Sequence, residues 1–328
     1  MHLMSTPPES RKILSTSEGV NREAFSPLDW TLFVSVALIW GSSFLLMDIG
    51  LEAFEPGLIT LLRVGLGAAA LWLVPAARST RINRTDWPRL MALSVIWVAI
   101  PFTLFPIAQQ YINSAIAGML NGAVPIFAAV VAVVMLRRLP RAVTIVGLVI
   151  GFTGVVAISA PSVGEGGTEA LGVALVVTAT ACYGLAINIA APIQQQYGSI
   201  AVMARMLALA TLWTAPLGIL GATGSTFEWA PFVAVAVAGV LGTGIAFVFM
   251  GTLVGSVGST RASVLTYLIP VVALILGIVF RGDVVAPIAV AGVAMVILGA
   301  VLASRRETSS SRPTALATDG TVSGDGPP

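Results

Sequence analysis

Ten apolar stretches account for most of this chain, each close to the ~20 residues a helix needs to cross the hydrocarbon core of a bilayer. They fall near 31–50, 57–76, 90–110, 115–135, 142–160, 170–191, 200–221, 231–252, 261–280 and 285–303. The runs are continuous rather than alternating, so each satisfies its backbone as a helix and not as a barrel strand. Composition agrees. The chain is 57% hydrophobic and 10% charged, against roughly 25% charged residues in a soluble domain. It reads as an all-α membrane protein with ten transmembrane helices and short loops. Trp30, Trp87, Tyr111, Tyr197 and Trp229 at helix ends fit an interfacial aromatic belt.

The ends differ in character. Residues 1–29 and 304–328 are polar and lack apolar periodicity, and both are expected to be disordered tails. The first has no apolar segment ahead of a small-residue cleavage site, so it is not a signal peptide. Orientation follows from the distribution of Lys and Arg. One side collects Arg11, Lys12, Arg22, Arg78, Arg81, Arg84, Arg89, Arg137, Arg138, Arg141, Arg261, Arg305, Arg306 and Arg312. The other receives Arg281 alone, with Glu52, Glu55, Glu165, Glu169, Glu228 and Asp283. Both termini are therefore expected in the cytoplasm, in a multi-pass protein of the plasma (inner) membrane.

The same counts exclude several functions. With 17 Lys+Arg against 15 Asp+Glu there is no basic excess for nucleic acid. Cys182 is the sole cysteine and His2 the sole histidine, so a disulfide, haem, zinc or Ser-His chemistry inside the membrane has no ligands. No cofactor is expected. An intramembrane enzyme such as a lipid-linked transferase would need a loop with convergent acids, a His or a metal cluster, and the short loops offer none.

An internal repeat says more. A shift of 145 positions superposes Ser114 on Ser259, Ala117 on Ala262, Pro125 on Pro270, Ala128 on Ala273, Gly147 on Gly292, Gly154 on Gly299 and Ser159 on Ser304. Arg63 falls on Arg205 with a shift of 142, and Trp40 on Tyr183 with 143. Each half, 30–160 and 170–303, holds five helices, with 161–169 as linker. An odd number forces the second half to enter from the opposite side, so the halves are inverted repeats. Exchanging their conformations would expose one central site to either side in turn, which is alternating access. That arrangement points to a carrier without appeal to any relative.

The chain also resembles the drug/metabolite transporter superfamily, in its ten-helix EamA-like branch. The resemblance rests on Ala37-Leu-Ile-Trp40-Gly41-Ser42-Ser43-Phe44, on Pro56 through Arg63, and on the Gly147/Gly154 and Gly292/Gly299 spacings. It implies two five-helix repeats that move small metabolites, commonly amino acids and often outward. Where that family usually carries a Glu about nine residues before the first closing-helix Gly, this chain has Arg138 and Asp283. Only the second half keeps an acid there.

The candidate site follows from polar groups and helix breaks in the apolar stretches. Pro125 and Pro270 each remove a backbone hydrogen bond at matching depths and are expected to act as hinges or to line the site. Pro101 and Pro106 are expected to break the third helix, with Gly242 and Gly244 in its counterpart. Trp40, Ser43, Tyr183, Asn121, Asn188, Thr266 and Tyr267 are the candidate substrate-binding residues. For the two asparagines, helix–helix hydrogen bonding is an equal reading. An arginine at the bilayer centre costs at least roughly 2.5–3.5 kcal/mol, so Arg63 and Arg205 must face protein or water. They read as gating or structural groups, with bidentate capture of a substrate carboxylate as the alternative.

Asp48, Glu52 and Asp283 could carry protons but sit near the outer ends, as interfacial charges do. Gly147, Gly151 and Gly154 give the fifth helix a small-residue face for close packing or a homodimer seam. The expected partners are a small-molecule substrate and the lipid bilayer. The function expected is secondary transport, most readily export of amino acids or related metabolites. Import or facilitated diffusion of another solute, such as a drug or nucleoside, remains open.

Overall fold

The computed structural model describes residues 25–136, 142–164 and 168–304. Arg11, Lys12, Arg22, Arg137, Arg138, Arg141, Glu165, Arg305, Arg306 and Arg312, and with them most of both tails, lie outside the described residues. Among the described residues the fold is all-helical, with ten main helical segments: α1 (Pro27–Gly50), α2 (Pro56–Trp72), α3 (Arg84–Ala108), α4 (Ser114–Met135), α5 (Ala142–Gly164), α6 (Glu169–Tyr197), α7 (Ser199–Ala222), α8 (Trp229–Val257), α9 (Ser263–Arg281) and α10 (Pro287–Ser304). Eight are long and apolar enough to span a membrane, and α2 and α10 are shorter apolar helices.

Local chemistry sets the ends. Ser26 and Asp29 form a capping box at the start of α1: the Ser26 hydroxyl accepts from the Asp29 amide, and the Asp29 carboxylate accepts from the Ser26 amide at 2.9 Å. Asn113 caps α4 by accepting from Ile116 N at 2.9 Å. Gly198 (φ 83°) and Gly258 (φ 86°) make the tight turns into α7 and α9 in a conformation L side chains rarely adopt.

Packing obeys a two-fold relation between α1–α5 and α6–α10. α1 packs on α8 and α9, and α6 correspondingly on α3 and α4. The pairs α2–α7, α4–α9 and α5–α10 each join a helix to its own repeat partner. The α5–α10 seam shows the relation at atomic scale. A Cβ on Gly147 would lie 2.8 Å from Gly299 O, and one on Gly154 would lie 2.7 Å from Gly292 O. Each glycine thus meets the repeat equivalent of the other. Such close approach of backbones is how helices associate where lipid removes the hydrophobic drive. The Gly147/Gly151/Gly154 face is consumed by α10 and not left for a second copy.

The expected breaks take specific forms. Around the prolines, α4 is interrupted by a turn between Asn121 and Val124, and the 3₁₀ segment Ser263–Tyr267 precedes Ile269 in α9. Pro125 and Pro270 therefore occupy the first turn of a restarted helix, where a missing N–H costs least. α3 is not broken at Pro101 and Pro106. It widens into a π-helix over Ser94–Ala99, and α8 does the same over Ala238–Ile245. These matched π segments lie where Pro101 lacks an amide on one side and where Gly242 and Gly244 loosen the turn on the other.

Candidate functional site

Two ends can be told apart by charge. The acidic end carries Asp48, Glu52, Glu55, Glu169, Glu228 and Asp283, and the basic end carries Arg78, Arg81, Arg84, Arg89 and Arg261. Between them lies a cavity of about 170 Å³. It is lined by Trp40, Ser43, Phe44, Met47, Arg63, Trp97, Phe102, Phe105, Asn121, Val124, Tyr183, Ile187, Gly242, Phe247, Thr266 and Ile269. Most of the lining falls into repeat-related pairs. Asn121 and Thr266, Val124 and Ile269, Phe102 and Phe247, and Trp97 and Gly242 are each 145 positions apart. Trp40 and Tyr183, and Phe44 and Ile187, are 143 apart. The cavity therefore sits on the pseudo-two-fold axis, where a solute meets both halves at once.

The polar groups are few and individually held. The Trp40 indole donates to Gly242 O at 3.0 Å, a carbonyl within the π segment of α8. From the same segment, Thr243 Oγ1 accepts from Arg63 Nε at 3.2 Å and donates to Ala238 O at 3.2 Å. Arg63 Nη1 also contacts Met47 Sδ at 3.0 Å, and its guanidinium carbon stands 4.5 Å from the centre of the Phe102 ring. Gly239 makes this possible, since a Cβ there would lie 2.9 Å from Arg63 O. Across the cavity, Pro125 and Pro270 leave the carbonyls of Asn121 and Thr266 without the amide four residues on. Asn121 Oδ1 is buried with no hydrogen-bond partner.

Not every candidate residue reaches this place. Trp40, Ser43, Asn121, Tyr183 and Thr266 line the cavity, as does Arg63. Asn188 does not: its side-chain amide donates to Ala128 O at 3.0 Å and Gly184 O at 2.9 Å, tying α6 to α4. Tyr267 packs against the main apolar core. Arg205 lies near the basic end, donating to Ala77 O (2.8 Å), Thr80 O (2.6 Å) and Ala201 O (2.9 Å) beside Trp72. Pro125 and Pro270 stand directly behind the lining residues Val124 and Ile269. Sequence reasoning missed Met47, Thr243 and most of the aromatic lining. Only Thr243, a hydroxyl between two glycines in an apolar run, left a trace in the sequence.

The two ends are closed differently. At the acidic end α4 and α9 touch: a Cβ on Gly118 would collide with Ala273 Cβ, and one on Gly122 would be 3.1 Å from Pro270 Cγ. Asp283 Oδ2 accepts from Ser114 Oγ (2.9 Å) and Ala115 N (3.0 Å), and Arg281 pairs with Asp48 and Glu52. Toward the basic end the helices diverge. Residues 124–136 pack on α6 and α10, whereas 259–267 pack on α1 and α8. The charged groups of Asp48, Glu52 and Asp283 are thus engaged at the closed end, away from the cavity lining.

Ten helices in two-fold-related halves, with matched helix breaks around a cavity on the axis, define a multi-pass membrane carrier. The EamA-like transporter family matches over residues 30–160 and again over 170–305, and the chain belongs to that family. An uncharacterized transporter of Archaeoglobus fulgidus is 26% identical over 289 residues, covering 84% of this chain and 99% of its own length. A probable terminal-alkyne amino-acid exporter of Streptantibioticus cattleyicolor is 28% identical over 284 residues, covering 84% and 93%. A protein crystal structure with 19% identity superposes with a TM-score of 0.59 over 84% of this chain and 96% of its own. At that identity it speaks for the fold alone.

Proposed function

We propose that this transporter exports amino acids or closely related metabolites from the cytoplasm by alternating access, with both termini inside the cell. The observation that carries the mechanism is the cavity on the pseudo-two-fold axis, closed at the acidic end by the contact of α4 with α9 and by Asp283 on Ser114 and Ala115. With the basic end cytoplasmic, this arrangement faces inward. The outward form follows when α4 and α9 exchange roles: their acidic-end halves part and their basic-end halves close, with Pro125 and Pro270 as hinges. Trp40, Ser43, Asn121, Tyr183 and Thr266 contact the solute, and Arg63 shares that wall.

The cavity's size supports a compact substrate. About 170 Å³ corresponds to five or six waters at ~30 Å³ each, below the roughly 300 Å³ at which drug-sized pockets begin. An apolar, aromatic wall with a few amide, hydroxyl and guanidinium groups suits an amphipathic metabolite. The exporter relative supports the direction and the substrate class by analogy.

The test is metabolite profiling of the medium from cells expressing the wild type or the Asn121→Ala/Tyr183→Ala variant, after checking that both reach the membrane. Accumulation of an amino-acid-like solute outside only with the wild type is the expected result. A rise inside the cells would reverse the direction, and identical profiles across growth conditions would overturn the reading.

A further inference from the structure

Arg63 and Arg205 are repeat equivalents, and their surroundings form an internal control. Arg205 is satisfied by three main-chain carbonyls. Arg63 is 8% exposed, yet its hydrogen bonds go only to one hydroxyl and one thioether sulfur. Its Nη2 has no hydrogen-bond partner, and no carboxylate pairs with it among the described residues. A guanidinium carries five N–H donors in a planar fork, so most of that capacity is unused. α2 begins at Pro56, which places Arg63 about 10 Å along the helix at ~1.5 Å per residue.

The rest of the cavity agrees. Its lining holds no acid, and Arg63 is its single charged group. The lining residues without a repeat counterpart on the wall are Ser43, Met47, Arg63 and Phe105, all from the first half. The symmetric part of the lining offers only neutral polar groups, those of Asn121, Thr266, Trp40 and Tyr183, so the one charged group stands where the symmetry fails. Met47 and Thr243 hold the fork in place, and Ser43 Oγ lies 3.1 Å from where a Gly242 Cβ would stand, beside Thr243.

Resting on the carrier reading above, we infer that Arg63 is the receptor for a substrate carboxylate, and that the transported class is small carboxylates with an apolar body, the apolar α-amino acids among them. Two parallel N–H···O bonds to a carboxylate would fill the open side of the fork. In an amino acid the ammonium would face the unpartnered acceptor across the cavity, Asn121 Oδ1. Cationic solutes lacking a carboxylate are excluded, because the site would hold two positive charges and no negative one.

The experiment is counterflow in proteoliposomes holding the full-length carrier. Labelled L-leucine, L-methionine, L-phenylalanine and 3-phenylpropionate are compared with the amides of the three amino acids and with phenethylamine. At least one carboxylate should exchange, with its matched amide or amine about tenfold or more slower at equal concentration. Arg63→Gln should abolish that preference and Arg63→Lys should keep part of it. Because Arg63→Gln could unfold, the acid-to-amide ratio of the wild type is the primary readout, and variants are compared only where they elute as monodisperse protein. Equal exchange of acids and amides, or an unchanged KM in folded Arg63→Gln, would overturn the receptor role while leaving the carrier intact. Failure of every probe to exchange would overturn both.

Discussion

Arg205 and Asn188 are single residues whose polar atoms join helices instead of meeting solute. Arg205 ties the loop after α2 to α7 through the Ala77 and Thr80 carbonyls. Replacing it by Gln orphans those acceptors, so Arg205→Gln should lower the thermal unfolding midpoint in detergent with substrate KM unchanged. Asn188→Ala removes two hydrogen bonds between and along α6 and α4 and should cost about 0.6–2 kcal/mol of stability, again without a shift in KM. A substrate-specific defect in either folded variant would return that residue to the site. Neither distinction was legible in the sequence. Arg63 and Arg205 match in type and repeat position, as Asn121 and Asn188 match in type, and what separates them is the direction of a side chain and the atoms it meets.

Among the elements, the helix breaks and the glycine seam carry the argument. Pro125→Ala restores an amide able to bond Asn121 O and continue α4 through its turn. Such a helix should fold but exchange solute more slowly, with thiol labelling of a cysteine introduced into the cavity shifted toward one face. Wild-type turnover with a wild-type labelling distribution would remove the hinge role. At the α5–α10 seam, a valine at Gly154 would drive its Cβ to 2.7 Å from Gly292 O. Main chain cannot yield as a flexible side chain can, so Gly154→Val should destabilise by about 1–3 kcal/mol or more, read as a lower unfolding midpoint. The glycines and prolines announced both features in the sequence. The π-helical form of the α8 distortion did not show, because it depends on how the carbonyls of Gly242 and Ala238 are taken up by Trp40 and Thr243.

For the whole molecule, the closed acidic end is held by Arg281 with Asp48 and Glu52, and by Asp283 on the first turn of α4. Arg281→Gln should loosen that closure. In a Cys182→Ala background with Thr266→Cys in the cavity, a membrane-impermeant thiol reagent added at the acidic face should label faster once Arg281 is changed. Unchanged labelling would mean that helix packing, and not the charges, keeps that end shut. The sequence by itself determined ten membrane helices, their inversion into two halves, and the axis along which a site had to lie. Hydropathy and repeat spacing are one-dimensional signals, and a bilayer leaves helices few alternatives. Only the tertiary structure decided which polar residues share the cavity, which of two equivalent arginines keeps an unfilled fork, and which end is closed. Those depend on contacts between residues far apart in the chain, such as Arg281 with Glu52, 229 positions away, and on an asymmetry between halves that the repeat does not encode.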